Sequence, residues 1–497
     1  MRTIAISAVA LAAATAANAQ NIVQMDSEWY AAGQEAIQAQ IEKLMNENNA
    51  KNVILMVADG NGVGTNYATR LFVGQMEGGL GEDHVLPYET PDFYSALVKT
   101  YNINAQTPDS APTAGAMNTG VKQRFNLINL GGDAIHDDCS TVEGNELTLF
   151  SEIVTGMGKS VGIVSTARLT HATPAAVYSK TANRNWEDAV PEGCTAQKDI
   201  ASQLIDAMES GLIDFAMGGG GRYFLPDGTE MGGLAGRRAD GTNLIEMAEG
   251  FGSSFVTDQA GFDGLDLSAD APILGLYENS HMMYEADRAD EPSLAEMTAA
   301  AIEYLSKNED GYFLEVEAGR VDHGNHAGNA YRALMDGKAF ADAVALADEM
   351  TDDEDTLIIV TADHEHAIAF NGYCGRGSPI TGLCYDVAQT GIEHSDEPLT
   401  AADGKPYTVI GYLNGSGSVL TEQADGTFAA PEGRAEVTNE EAMDIDFIQQ
   451  AMIPMSSETH SGEDVAVYAK GPWAHLFDGT IEQNVIFHVM LHAVNAE

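Results

Sequence analysis

Asn52-Val53-Ile54-Leu55-Met56-Val57-Ala58 runs directly into Asp59-Gly60-Asn61-Gly62, and this stretch decides the fold. An apolar run rich in branched side chains, stopped by glycines, reads as a strand buried on both faces. In soluble proteins such strands lie inside largely parallel sheets covered by helices. An acid at the carboxyl end of a buried strand sits where open α/β sheets gather their ligands.

The same design returns along the chain. Residues 160–166 lead to Arg168-Leu169-Thr170-His171-Ala172-Thr173-Pro174, and 214–217 run into Gly218-Gly219-Gly220-Gly221. Residues 311–317 continue into Ala318-Gly319-Arg320-Val321-Asp322-His323-Gly324-Asn325-His326, and 355–362 end in Asp363-His364-Glu365-His366. Helical periodicity fills 294–306 and 330–350. This alternation predicts an α/β fold, a three-layer sandwich whose central, mainly parallel sheet is flanked by helices. From Asn371 the composition turns to Gly, Pro, Thr, Ser and Asp, which predicts an inserted, crown-like subdomain over 371–457 on the ligand edge. The catalytic core spans 51–370 and resumes over 458–497, through a strand at 460–469 and a helix ending near Val494. Acids, amides and alanines at helical spacing predict an N-terminal helical arm over 20–50.

Residues 1–19 open with Arg2, continue through small and apolar residues and end in Ala17-Asn18-Ala19. That is the pattern of a secretory signal peptide with its cleavage site, so a periplasmic or secreted protein is expected. No later segment has eighteen uninterrupted apolar residues, and no membrane span is expected. Seventy-five acids against 24 bases give a formal charge of -51, spread along the chain. The surface is that of a protein kept soluble in salty surroundings, without the basic patch that nucleic-acid binding requires. Four cysteines, Cys139, Cys194, Cys374 and Cys384, allow three pairings. The simplest joins Cys139 to Cys194 and Cys374 to Cys384.

Asp109-Ser110-Ala111-Pro112-Thr113-Ala114 reads as a serine at the start of a helix. Pro112 suits a first turn, Asp109 is placed to cap it, and Gly120 is placed to end it. A hydroxyl there can carry a phosphate, because free backbone N–H groups and the helix dipole favour an anion. Asp59, Glu317, Asp322, His326, Asp363, His364 and His460 also stand at strand ends, with His171 and Thr173 after another strand. Singly, each reads as a turn, cap or hydrogen-bonded residue; jointly they are the nitrogen and oxygen ligands that zinc and magnesium take. Asp322 and His326 would share one face of a helical turn. His366, His475, His488 and His492 need no function on this reading, the last pair marking a C-terminal amphipathic face.

These residues resemble the alkaline phosphatase family, its vertebrate-type branch above all, over nearly all of the chain beyond the leader. The resemblance rests on Val57-Ala58-Asp59-Gly60, Pro108-Asp109-Ser110, Thr170-His171-Ala172-Thr173-Pro174-Ala175-Ala176, Asn183-Arg184-Asn185-Trp186, 316–324, Thr361-Ala362-Asp363-His364 and 458–467. It implies hydrolysis of phosphate monoesters by a homodimer at a site with two zinc ions and one magnesium ion, through a phosphoserine. It further implies Asp322, His326 and His460 on the first zinc, and Asp59, Asp363 and His364 on the second. Asp59, Thr173 and Glu317 would hold the magnesium. Ser110 matches the nucleophile and Arg184 the phosphate-gripping arginine, while His171 and His323 occupy positions that tune the metals. An additional calcium site is implied at Tyr277, Glu278 and Glu291.

Two other readings share parts of this pattern. A sulfatase or phosphodiesterase would use a similar sheet and metals, and the residues after Ser110 carry half of the sulfatase signature, with Ala114 where that signature has arginine. An exported zinc- or phosphate-binding protein would need the ligands and Arg184 but not Ser110.

Overall fold

Ten strands build the main sheet: β1 (Asn52–Val57), β2 (Tyr94–Lys99), β3 (Ser160–Arg168), β4 (Phe215–Gly219), β5 (Ser254–Val256), β6 (Ile273–Leu276), β7 (Tyr312–Glu317), β8 (Thr356–Thr361), β9 (Val465–Lys470) and β10 (Thr480–Glu482). Their order is β10-β2-β9-β8-β1-β7-β3-β4-β6-β5. Every pairing is parallel except the two made by β9, which runs against both β8 and β2. The computed structural model describes residues 23–496, and the leader expected at 1–19 lies outside them.

Alternate residues of β1 enter different cores, which is what a strand buried on both faces must do. Val53, Leu55 and Val57 pack with Phe150, Leu357, Ile359 and Met490 on one side. Ile54 and Met56 pack with Met297, Phe340, Ile358 and Val360 on the other. Helices flanking the sheet include α2 (Val63–Met76), α3 (Ser110–Thr119), α4 (Ala172–Ala175), α5 (Leu294–Leu305), α6 (Arg320–His326), α7 (Ala330–Met350) and α8 (Val485–Asn495). α1 (Glu28–Glu42) belongs to a different unit from the residues that follow Met45, and none of its residues is buried.

Register places the site. Val57 is opposite both Glu317 and Thr361, so the ends of β1, β7 and β8 fall level and release Asp59, Glu317 and Asp363-His364 at one edge. Ser165 is opposite Glu317, so β3 delivers the His171–Thr173 turn to the same edge. β9 is antiparallel and brings its leading end there, with Val467 opposite Thr361. For that reason His460 precedes its strand where the other residues follow theirs.

Between β8 and β9 lies a separate three-stranded sheet, Ile368–Phe370, Ile410–Gly415 and Ala451–Pro454. Ile410, Tyr412 and Ala451 pack on Leu71 and Phe72 of α2 and Leu334 of α7. The sheet's strand Ile410–Gly415 follows Tyr407, whose carbonyl accepts from the Cys384 amide at 3.0 Å. Both expected disulfides form, Cys139–Cys194 and Cys374–Cys384. Cys139 and Cys194 border a satellite core of Leu127, Leu130, Val142, Ala182 and Trp186. This core lies under the segment that carries Arg184.

Chain entropy for a loop of 55 residues amounts to about 4 kcal/mol, and for one of 10 residues to about 3. The Cys139→Ser/Cys194→Ser protein should therefore show the larger fall in thermal midpoint, and should lose affinity for inorganic phosphate as the Arg184 segment loosens. Calorimetry and phosphate inhibition of the two double variants check both points.

Candidate active site

Ser110 is the first residue of α3, and Gly120 closes that helix in the left-handed conformation, its N–H bonded to the Ala116 carbonyl. Asp109 holds the N-cap position but makes no side-chain cap bond, contrary to expectation. Its carboxylate is committed elsewhere, to the Arg184 guanidinium and to the Asn126 amide at 3.2 Å. Ser110 is 2% exposed. Its Oγ lies 3.0 Å from His364 Nε2 and 3.4 Å from Asp59 Oδ1.

Asp322 and His326 share α6, with Oδ1 and Nε2 3.3 Å apart as their spacing predicts. His460 joins them with its Nε2 3.3 Å from the same oxygen. The outer nitrogens settle the tautomers. His326 Nδ1 donates to the Glu458 carbonyl at 2.6 Å and His460 Nδ1 to the Pro108 carbonyl at 2.9 Å, because a carbonyl can only accept. In the neutral ring this tautomer leaves the Nε2 lone pair facing inward. These nitrogens are 3.1 Å apart and both face a carboxylate oxygen. Burial lowers the His326 pKa, which keeps that ring neutral. Lone pairs converging on an anion are what a cation needs, and such outer bonds to carbonyls are how metal-binding histidines are held.

The second group is Asp59, Asp363 and His364, all fully buried. His364 Nε2 is 3.3 Å from Asp59 and 3.2 Å from Asp363. Asp363 also anchors the turn after β1 by accepting from the Gly60 N–H at 3.0 Å. Glu317 and Thr173 complete a third group around Asp59. Asp59 Oδ2, Thr173 Oγ1 and Glu317 Oε1 are buried without hydrogen-bond partners, an oxygen-rich set that suits magnesium. A His171 ring nitrogen also lies within 4.8 Å of oxygens from Asp59 and Glu317. Burial first, then mutual repulsion with Asp363, Asp322 and Glu317, holds the Asp59 carboxyl well above the ordinary range. Burial also raises Asp363, and lifts Glu317 to about 7.

Arg184 stands beside the serine. Its guanidinium pairs with Asp109 and donates to His171 Nε2 at 2.8 Å. His171 stays neutral, its pKa held far down by burial and then by Arg184 and Arg168. His323 lies 5.6 Å from His171, ring to ring. His281, which the sequence did not mark, lies tilted against His323 with ring centres 3.9 Å apart and bonds Arg168.

Two residues of the Asp363-His364-Glu365-His366 run carry more than the sequence suggested. His366 was expected to be without function, yet it is buried with Nε2 2.9 Å from Asp322 Oδ1 and Nδ1 2.6 Å from Glu458 Oε2. Both nitrogens donate to carboxylates, so the ring is an imidazolium brace with no lone pair for a metal. Although burial opposes it, Glu458 and Asp322 raise its pKa to about 10. The histidine explains Gly60, whose φ is +69° and whose Cβ would lie 2.3 Å from His366 Nε2. By contrast His488 packs on Phe487 and His492 on Trp473, away from the cluster.

Of the three calcium candidates, the Tyr277 hydroxyl bonds Met217 Sδ at 3.3 Å within the core. Its phenol is thereby removed from the set. Glu291 is buried with one oxygen accepting from the Met283 amide at 2.8 Å and the other unpartnered, and burial lifts its pKa to about 7.

A family model described as alkaline phosphatase matches residues 50–496. The tissue-nonspecific alkaline phosphatase of Gallus gallus is 40% identical over 472 residues, covering 90% of this chain and 85% of its own. The alkaline phosphatase of Gadus morhua is 39% identical over 469 residues, covering 90% and 92%. Among solved structures, Thermus thermophilus alkaline phosphatase superposes with a TM-score of 0.64 at 22% identity, over 92% of this chain and 94% of that one. Alkaline phosphatase from the Antarctic bacterium TAB5 gives 0.61 at 22% identity, over 90% and 100%. The structural matches speak to the fold.

With folded-state pKa values above their ordinary ones, Asp59, Asp363 and Glu317 bind more protons folded than unfolded when no cation balances them. Stability then falls as pH rises, for Glu317 between its ordinary 4.5 and about 7. Chelator-stripped protein should show a thermal midpoint that drops from about pH 5 to about pH 8, while metal-loaded protein changes little. A stripped midpoint that rises over this range would contradict the assignment.

Proposed function

Because the chain belongs to the alkaline phosphatase family of phosphoric monoester hydrolases, we propose that it cleaves phosphate monoesters through a phosphoserine on Ser110. The observation that carries this reading is the convergence of Ser110 Oγ, neutral histidine nitrogens and buried carboxylates at one sheet edge. Asp322, His326 and His460 would hold one zinc, Asp59, Asp363 and His364 a second, and Asp59, Thr173 and Glu317 a magnesium. Bound there, these ions supply Lewis acidity that eases deprotonation of an oxygen nucleophile and neutralises phosphate charge. Glu278 and Glu291 would hold calcium without the Tyr277 hydroxyl.

The chain's own groups do the rest. Ser110 Oγ attacks phosphorus in line, the ester P–O bond breaks, and the alcohol departs. Water then attacks the phosphoserine from the vacated side; the P–Oγ bond breaks, phosphate leaves, and Ser110 regains its hydroxyl proton. Arg184 offers a planar two-pronged grip on two non-bridging oxygens. Asp109 and His171 fix its plane before substrate arrives, so little ordering remains for the transition state. The two disulfides support export to an oxidising compartment, where we propose that the enzyme acts as a homodimer. No helix among the described residues is long and apolar enough to cross a membrane.

Turnover of 4-nitrophenyl phosphate far above that of the sulfate and of the bis-phosphate ester is the expected result, and the reverse order would overturn the reading. Ser110→Ala should abolish phosphoryl transfer to added alcohols while metals stay bound; transfer at the wild-type level would exclude a covalent intermediate. Arg184→Ala should cost about 2–4 kcal/mol of transition-state binding, by comparison with other preorganised donors. It should also weaken phosphate inhibition, and unchanged inhibition would remove Arg184 from the site.

A further inference from the structure

Glu365 sits between His364 and His366, 4% exposed, and the mechanism leaves it unused. Its backbone lies in a two-rung antiparallel ladder, Glu365 opposite Ser461 and His366 opposite His460. Its side chain leaves that ladder for the start of α2. Oε2 accepts from the Gly64 N–H at 2.6 Å and the Thr65 N–H at 3.4 Å, and Oε1 accepts from the Thr65 hydroxyl at 2.8 Å. Gly62 occupies the N-cap of α2 and offers no side-chain cap, so the acceptor for that helix end comes from a strand some 300 residues away.

Sterics point the same way. A Cβ on Gly62 would come within 2.6 Å of the Glu365 side chain, so the glycine makes room for the carboxylate. The turn from Asp59 to Thr65 is thereby bolted to 363–365 twice, by Gly60 N–H on Asp363 and by the α2 amides on Glu365. Asp59 lies at the head of this turn, and His364 adjoins the second bolt.

We propose that Glu365 is a positioning residue that fixes the spacing of Asp59 against Asp363 and His364, and so governs how firmly the enzyme keeps its second zinc. The inference rests on the assignment of those three residues as zinc ligands. A carboxylate that caps a helix only for stability would leave zinc retention untouched, and that difference can be measured.

The experiment uses zinc-loaded enzyme in wild-type form and as Glu365→Ala, Glu365→Gln and Ser293→Ala. Ser293 caps α5, which carries none of the proposed zinc ligands, with its side chain accepting from the Glu296 N–H, and serves as the loss-of-cap control. Zinc transfer to a chromophoric chelator is followed well below every thermal midpoint, alongside kcat and KM for 4-nitrophenyl phosphate. Glu365→Ala should release zinc about tenfold faster or more, in line with other residues that support metal ligands. It should lose kcat with little change in KM and recover part of it in excess zinc. Glu365→Gln keeps an acceptor for Gly64 N–H and should stay close to wild type, and Ser293→Ala should lower the midpoint without hastening zinc release. If Glu365→Ala does not fold, Glu365→Ser carries the same expectation. Release from the position-365 variant at the Ser293→Ala rate would overturn the proposal. Wild-type enzyme that binds no zinc or leaves 4-nitrophenyl phosphate intact would instead overturn the functional reading beneath it.

Discussion

Three fully buried carboxylates, Asp59, Glu317 and Asp363, meet at one sheet edge, and among the described residues no lysine or arginine forms an ion pair with any of them. Burying such charges unpaired costs several kcal/mol each, so the edge demands cations or protons. Asp322 is placed differently: although burial opposes it, the surrounding imidazoles hold its carboxyl well below the ordinary range. Much of the surrounding structure answers that demand. Neutral histidines present lone pairs, carbonyls hold their outer nitrogens, and unpartnered oxygens wait on the third group.

Strand polarity brings these groups together more economically than any local motif could. Parallel neighbours with level ends contribute the residues that follow them, and the antiparallel β9 contributes the residue that precedes it. Braces then set the final distances. His366 and Glu458 lock Asp322 from behind, while Asp363 and Glu365 hold the turn after β1. Both braces need glycine opposite them, which accounts for Gly60 and Gly62 in the turn.

Charge scarcity makes the phosphate grip specific. In a chain with 24 basic and 75 acidic residues, a free guanidinium near the serine would be drawn to any nearby acid. Arg184 is instead committed to one acid, Asp109, adjacent to Ser110, so its pairing and its placement are a single interaction. The same commitment explains why Asp109 does not cap α3. The Cys139–Cys194 bridge and its satellite core hold the rest of that segment.

By itself the sequence determined the α/β class, the helix-start placement of Ser110, the placement of the eight ligand candidates after or beside strand ends, and the helical pairing of Asp322 with His326. These are local properties, since a buried strand, a helix start or an i,i+4 pair is written in consecutive residues. It also marked Arg184 through a short motif shared with a family. Only the tertiary structure decided that His366 is an imidazolium brace, that Asp109 serves Arg184, that Tyr277 is lost to Met217, and that Glu365 caps a helix some 300 residues away. Each of these depends on which group stands opposite a side chain once distant strands have paired. A histidine held by carboxylates on both nitrogens and a histidine whose outer nitrogen is held by a carbonyl are the same letter, and the position of their neighbours alone makes one a cation and the other a ligand candidate.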